Sequence, residues 1–362
     1  MAIARERPDD AGGDDPGSAG APPEAPGALS LPARRALRPL VVWLPWLPVA
    51  AATLAFAAGL SVPRAWRYAP LAVSVVAFGL PHGAVDWAAL PRAATGRLDR
   101  RWLAVVGLVY LAFGGAYAVG WFVAPFPAAV GFLALPWFHW GQGELLPLDA
   151  VVGADHLDAP RRRALTVALR GALPMGAPLL AFPDRYRAVL ASFVAPFGGT
   201  VPARPPAPDV RLAVGAALVG LTVATLAGGS RAAANRRAWA VDAGETVLLW
   251  AYFLVVPPVF AVGLYFCCWH APRHVARVLA LDDRTVDALE RGRLTGALGR
   301  FAREAALPTV VALAGCVALW RAAPAPTATL EGAVAVYLVA VAVLTLPHVV
   351  VVTWLDRLAG YW

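Results

Sequence analysis

From Pro39 onward the chain repeats one pattern: about twenty predominantly apolar residues, a short polar connection, then another apolar run. As an α-helix at 1.5 Å per residue, a run of that length crosses roughly 30 Å of hydrocarbon. Ten such runs can be read, over 39–60, 69–90, 103–123, 127–148, 164–182, 211–228, 240–256, 259–280, 304–321 and 329–352. The weakest are the fifth, which contains Arg170, Pro174 and Pro178, and the ninth, which also suits an interfacial position. Composition argues the same way. Hydrophobic residues make up 59% and charged residues 15%, against about 25% charged in soluble domains, and the mean hydropathy is +0.61. The expected fold class is all-α: a polytopic integral membrane helical bundle with about ten transmembrane helices (eight to ten).

Residues 1–33 are different material, acidic at first and then rich in Gly, Ala and Pro, with no apolar segment resembling a signal peptide. They read as a disordered cytoplasmic tail, leaving 34–362 as a single transmembrane domain. Basic residues exceed acidic ones, 31 to 23, and nearly all are Arg in short connections. That placement suits anionic lipid headgroups, and no basic motif for nucleic acid is present. With a cytoplasmic N terminus, the Arg-rich segments 91–101, 161–163, 231–237 and 284–303 all face the cytoplasm, while the opposite loops carry fewer Arg. The expected location is the cell membrane, multi-pass. Cys267, Cys268 and Cys316 lie in apolar segments without metal-binding spacing and read as structural.

Imidazole is costly in hydrocarbon, so intramembrane histidines are candidates for function. Of six histidines, His82, His139, His270 and His274 lie inside apolar runs, His348 lies near the end of the last one, and His156 sits in a polar loop where substitution should be tolerated. His82, His139 and the His270/His274 pair fall on the second, fourth and eighth runs, which all cross in one direction. Counted from the outer ends, the four differ in depth by only about 6 Å at 1.5 Å per residue, with His348 about one turn deeper. His270 and His274 have the i, i+4 spacing that puts two rings on one helix face. A lone buried His is as readily a ring bonded to a backbone carbonyl, but four in one layer with an HxxxH pair point to a metal site inside the bundle. Imidazole suits Zn, Cu, Fe or Ni, so donor type leaves the metal open.

Gly83, Gly141 and Gly143 remove bulk beside these histidines, and Pro81, Pro136 and Pro272 loosen nearby backbone bonding. Trp87, Trp137, Phe138, Trp140, Tyr265, Phe266 and Trp269 crowd the same level. They read either as the lining of an apolar tunnel or as packing against lipid, and helical geometry forbids all of them from facing inward. Phe266, four residues before His270, shares its face, and one of Phe138 and Trp140 should border a cavity. Asp86 and Glu144 are costly near a helix centre, by roughly 2.5–3.5 kcal/mol. Each either accepts a hydrogen bond from a histidine ring, the better reading for Asp86, or is a hydrated interfacial group.

The blocks PHGAVDW around His82, FHWGQGE around His139, YFCCWHAPRHVARV around His270 and His274, and LPHVVVV around His348 together resemble the bacteriorhodopsin-related protein family of membrane β-carotene 15,15′-dioxygenases. The resemblance implies oxidative cleavage of β-carotene by O₂ at the central double bond, using Fe(2+), to two molecules of all-trans-retinal supplied to a microbial rhodopsin. It implies that His82, His139, His270 and His274 are the iron ligands and catalytic residues. The chain departs from the family mainly in the tail, in the Pro/Arg-rich insertion 183–210 and in the loop 281–303. Four neutral imidazoles would leave an octahedral ion two open positions, and carotene, offering no ligand atom, would be placed by shape. A di-iron desaturase needs about eight histidines in several boxes, and a zinc protease would show HExxH; neither pattern is present. The competing reading is a transporter or proton-coupled channel with a His/Asp relay.

Overall fold

A computed structural model describes residues 29–77, 79–325 and 329–360, and all regular structure among them is helical. The expected tail 1–33 lies outside the described residues except for its last five. There the expectation needs correcting, because helix α1 (Leu31–Ala57) already begins at Leu31. The cause is local: the Ser30 hydroxyl accepts from the Ala33 amide at 3.4 Å and a proline occupies the first turn, a standard helix start.

The remaining helices are α2 (Arg64–Thr95), α3 (Arg100–Val123), α4 (Pro125–Gln142), α5 (Pro160–Ala181), α6 (Pro183–Val194), α7 (Pro208–Ala232), α8 (Arg236–Val255), α9 (258–280), α10 (Asp283–Glu290), α11 (Leu294–Ala322) and α12 (Leu330–Leu358). Caps mark several of the starts: Asp99 accepts from the Arg101 amide at 2.9 Å, Asn235 from Ala238 at 3.2 Å and Thr329 from Gly332 at 3.2 Å. All ten expected runs are largely helical, and among the described residues eight helices are long and apolar enough to cross a membrane. The other two runs, α4 and α9, miss that mark because they carry polar site residues: His139 and Gln142 on one, His270, Arg273, His274 and Arg277 on the other. Two segments read from sequence as departures are also partly helical, with α6 inside 183–210 and α10 inside 281–303.

The bundle has an inside and an outside appropriate to lipid. Helices α3, α7 and α11 turn Leu108, Leu111, Leu212, Val219, Leu307 and Val310 outward, a surface that hydrocarbon covers without cost. Helix α9 is buried over most of its length, and Val49, Leu249, Tyr252 and Tyr265 form one apolar cluster beside it.

Charge holds α9 in place. Arg273 donates to Glu144 Oε2 at 2.6 Å and is paired with Glu245; Arg170 donates to Asp242 Oδ1 at 2.6 Å and to Glu245 Oε2 at 3.0 Å; Trp46 Nε1 donates to Glu245 Oε1 at 2.8 Å. Three carboxylates and two guanidinium groups thus join α1, α4, α5, α8 and α9, and this pairing makes Arg170 admissible in the fifth run. His156 joins the cluster, its Nε2 lying 2.9 Å from Asp242 Oδ2 in nearly full burial. His156 is thus buried and paired rather than exposed in a polar loop, which argues against the expected tolerance to substitution. The loop folds back onto α8 because a buried carboxylate needs its second oxygen satisfied.

Candidate metal centre

Each histidine of the centre sits where a proline disturbs regular helix bonding. His82 follows Pro81 in a short helical piece, Gly79–Gly83, after Ala77 leaves the helical region at φ −84°, ψ −112°. His270 ends a wide π turn, Phe266–His270. Pro272 explains that turn: it has no N–H to offer the carbonyl four residues back and its ring crowds that carbonyl, so the backbone widens there. Pro136 precedes His139 by one turn and Pro347 immediately precedes His348. Such wide turns recur at functional sites because they re-aim side chains.

The structure brings five imidazoles together. Ring centroids lie 4.8 Å apart for His139 and His270, 5.1 Å for His82 and His274, and 5.3 Å for His82 and His270. His348, expected a turn deeper, belongs to the same cluster at 4.7 Å from His139, 4.9 Å from His274 and 5.1 Å from His82. Counting residues from a helix end converts to depth only if all helices begin at one level and rise regularly. Helix α12 runs 29 residues, and α9 contains a π turn. Suitable donor atoms of His82, His139 and His348 all lie within 4.8 Å of one another, as do those of Asp86, His274 and His348.

These rings fit a metal ion by a test internal to the structure. His274 is fully buried and neither of its ring nitrogens has a hydrogen-bond partner. His139 and His270 present Nε2 to Nε2 at 3.1 Å, and His348 Nε2 is likewise unpartnered. Buried polar nitrogens left this way are costly; convergent lone pairs are what a borderline cation requires. Two rings are held ready by their other nitrogen: His82 Nδ1 bonds the Gly79 carbonyl, and His348 Nδ1 donates to Asp86 Oδ2 at 2.7 Å. In a neutral ring, a proton on Nδ1 leaves Nε2 as the lone pair.

Asp86 is therefore placed beside a histidine ring, but that ring is His348 and not the His82 four residues before it. The i, i+4 spacing does not bring His82 to Asp86, because helical register is lost where the chain leaves regular bonding between Gly83 and Asp86. Glu144 is fully buried and bonds Arg273 and Trp269, so it is neither interfacial nor hydrogen-bonded to an imidazole among the described residues. Below the histidines, Gln142 Nε2 donates to Asp356 Oδ2 at 2.5 Å and Arg277 pairs with Asp356, tying α4, α9 and α12 together. Neither Asp356 nor Tyr110, whose hydroxyl donates to Asp86 Oδ2 at 2.7 Å, stood out in the sequence. The available signal was charge: Arg273 and Arg277, each three residues after a site histidine, require buried carboxylates.

A cavity of about 1000 Å³ borders the cluster and touches His82, His139 and His348. Its walls come from α2, α3, α4, α5, α6, α9, α11 and α12 and are overwhelmingly apolar. Phe266 and Trp140 line it beside the rings, with centroids 5.4 Å from His82 and 5.8 Å from His270 respectively. Trp87 lines it as well, whereas Trp137, Phe138, Tyr265 and Trp269 do not. Trp137 and Phe138 diverge from His139 and are 46% and 38% exposed, Trp137 donating to the Ala168 carbonyl. Tyr265 packs in the core against Phe253 and Trp269. Trp269 donates to Glu144 at 3.0 Å and lies under the Arg273 guanidinium.

The sequence family described as "Beta-carotene 15,15'-dioxygenase" matches residues 73–356, which includes all five clustered histidines. "Probable beta-carotene 15,15'-dioxygenase Blh" of Halobacterium salinarum is 53% identical over 342 residues, covering 94% of this chain and 99% of that protein. "Probable beta-carotene 15,15'-dioxygenase Brp" of the same species is 33% identical over 361 residues, covering 94% and 96%. No solved structure matches.

Proposed function

Because the chain belongs to the β-carotene 15,15′-dioxygenase family, we propose that it cleaves β-carotene with O₂ at the central double bond, giving two molecules of all-trans-retinal. The observation that supports this most is the set of convergent, unpartnered imidazole nitrogens bordering an apolar cavity. His82, His139, His270 and His274 would hold Fe(2+), and a bound ferrous ion supplies the means to activate O₂.

The rest is done by the protein. A polyene has no polar handle, so its position is set by the cavity walls, and Phe266 and Trp140 sit where they would pin the reacting bond beside the rings. With a volume of about 1000 Å³ the cavity is at the top of the usual range for ligand sites. Its apolar lining keeps water from the reacting carbons, and the shape of the cavity around the histidines sets which double bond is presented. Overall, one C=C bond breaks and each carbon takes one atom of O₂. The substrate dissolves in the membrane the bundle occupies, and retinal would leave by the same medium to a microbial rhodopsin. A multi-pass location in the cell membrane with a cytoplasmic N terminus follows from the distribution of Arg. The transporter reading loses ground, because the clustered imidazoles border a large apolar cavity suited to a polyene.

Detergent-purified protein incubated with β-carotene under air tests the reading. Retinal as the sole aldehyde, with one iron per chain, is the expected result. Apocarotenals of unequal length, or no product from iron-loaded protein, would overturn it.

A further inference from the structure

The histidine that sequence reasoning left outside the ligand set is the one whose ring is most completely prepared to donate. His348 is nearly buried, its Nδ1–H is committed to Asp86 Oδ2 at 2.7 Å, and its Nε2 has no hydrogen-bond partner. The same Asp86 oxygen accepts the Tyr110 hydroxyl at 2.7 Å, while Asp86 Oδ1 has no partner. Tyr110 comes from α3, where a π turn begins at that residue, and it borders the cavity. Five helices therefore meet in one string: Tyr110 on α3, Asp86 and His82 on α2, His348 on α12, His139 on α4, and His270 and His274 on α9. Room for it is provided by Gly83, where a Cβ would approach His348 Nδ1 to 3.2 Å.

We propose that His348 is a fifth nitrogen donor to the metal, with Asp86 and Tyr110 as the positioning residues that fix its tautomer and orientation. A purely structural His–Asp pair needs neither an Nε2 without a hydrogen-bond partner nor a donor atom within 4.8 Å of donor atoms on two other histidines. A buried carboxylate shared between a phenol and an imidazole is, in contrast, the arrangement that holds a ligating ring in one pose. Five imidazoles would leave an octahedral ion a single position for a further ligand. Because Tyr110 also lines the cavity, the string links the pose of a ligand to the wall that the polyene touches.

This rests on the metal reading above, and the test separates the two. The full-length protein is stripped with a chelator and titrated with Co(II), whose visible absorption reports the number and type of ligands. Wild type should bind one equivalent; failure to bind Co(II) or iron at all would sink the metal reading itself. His348→Gly should weaken affinity at least tenfold and change the spectrum, and added imidazole should restore both. Asp86→Asn, which keeps the shape of the site, should weaken affinity by about 10–100-fold; Tyr110→Phe should shift the spectrum while retaining one Co(II) per chain. His348→Gly and Asp86→Asn that both bind Co(II) with wild-type affinity and spectrum would overturn the proposal while leaving the four-histidine site standing.

Discussion

Replacing Gly141 with Ala should dismantle the centre without touching a single candidate ligand. Helices α4 and α5 cross so closely at Gly141 that a Cβ there would lie 1.9 Å from the Val167 carbonyl oxygen, 2.7 Å from its carbon and 2.9 Å from its Cα. Ordinary contact begins at 3.4 Å, so the helices must part by about 1.5 Å at this point. The obstacle is backbone, and no rotamer change relieves it. Gly171 on α5 is the reciprocal contact, where a Cβ would come 1.6 Å from the Trp137 carbonyl oxygen, so the two helices cannot roll around the clash. His139 is two residues from Gly141, and metal–nitrogen distances tolerate only about ±0.2 Å. Overpacking of this kind costs about 1–3 kcal/mol, and a ligand displaced by about 1 Å costs on the order of a hundredfold in a positioned reaction. Iron per chain, carotene turnover and the thermal midpoint in detergent are the assays, with Gly220→Ala as control. Gly220 has nothing within 4 Å of its built Cβ, and the alanine there should be neutral or stabilising by about 0.5–1 kcal/mol. Gly141→Ala with full iron content and an unchanged midpoint would refute the argument that this crossing sets the position of His139.

Phe266→Ala should leave iron content at one per chain while raising KM for carotene or shifting the cleaved bond, because the ring lines the cavity 5.4 Å from His82; identical kinetics and products would reduce Phe266 to packing. Arg170→Ala leaves Asp242 and Glu245 buried without the guanidinium that joins them, and loss of one partner should cost about 3–5 kcal/mol, read as a large drop in thermal midpoint. His156→Ala removes one hydrogen bond to Asp242 and strands an oxygen, so a smaller loss of about 1–3 kcal/mol is expected; a midpoint within error of wild type would restore the view of His156 as a tolerant loop residue.

Much of the architecture was legible in the chain because a bilayer leaves the backbone few choices. Twenty apolar residues have to become a helix there, and all ten runs largely did, including the fifth with its buried arginine. The HxxxH spacing of His270 and His274 survived into the structure because i, i+4 neighbours share a face whatever the surroundings. Register failed where a proline or a broken turn intervened. Asp86 lies four residues after His82 yet bonds His348, and His348, counted a turn too deep, lies in the same cluster. The aromatics divided as helical geometry requires, but which faced the cavity depended on partners far along the chain. Trp269 is turned away by Glu144, 125 residues distant, and His156 is drawn inward by Asp242, 86 residues distant. Local spacing and hydropathy, which belong to single helices, were therefore set by the sequence alone. The pairing of charges, the close crossing at Gly141 and the meeting of five imidazoles arise only between helices, where long-range contact and burial decide which polar groups must find each other.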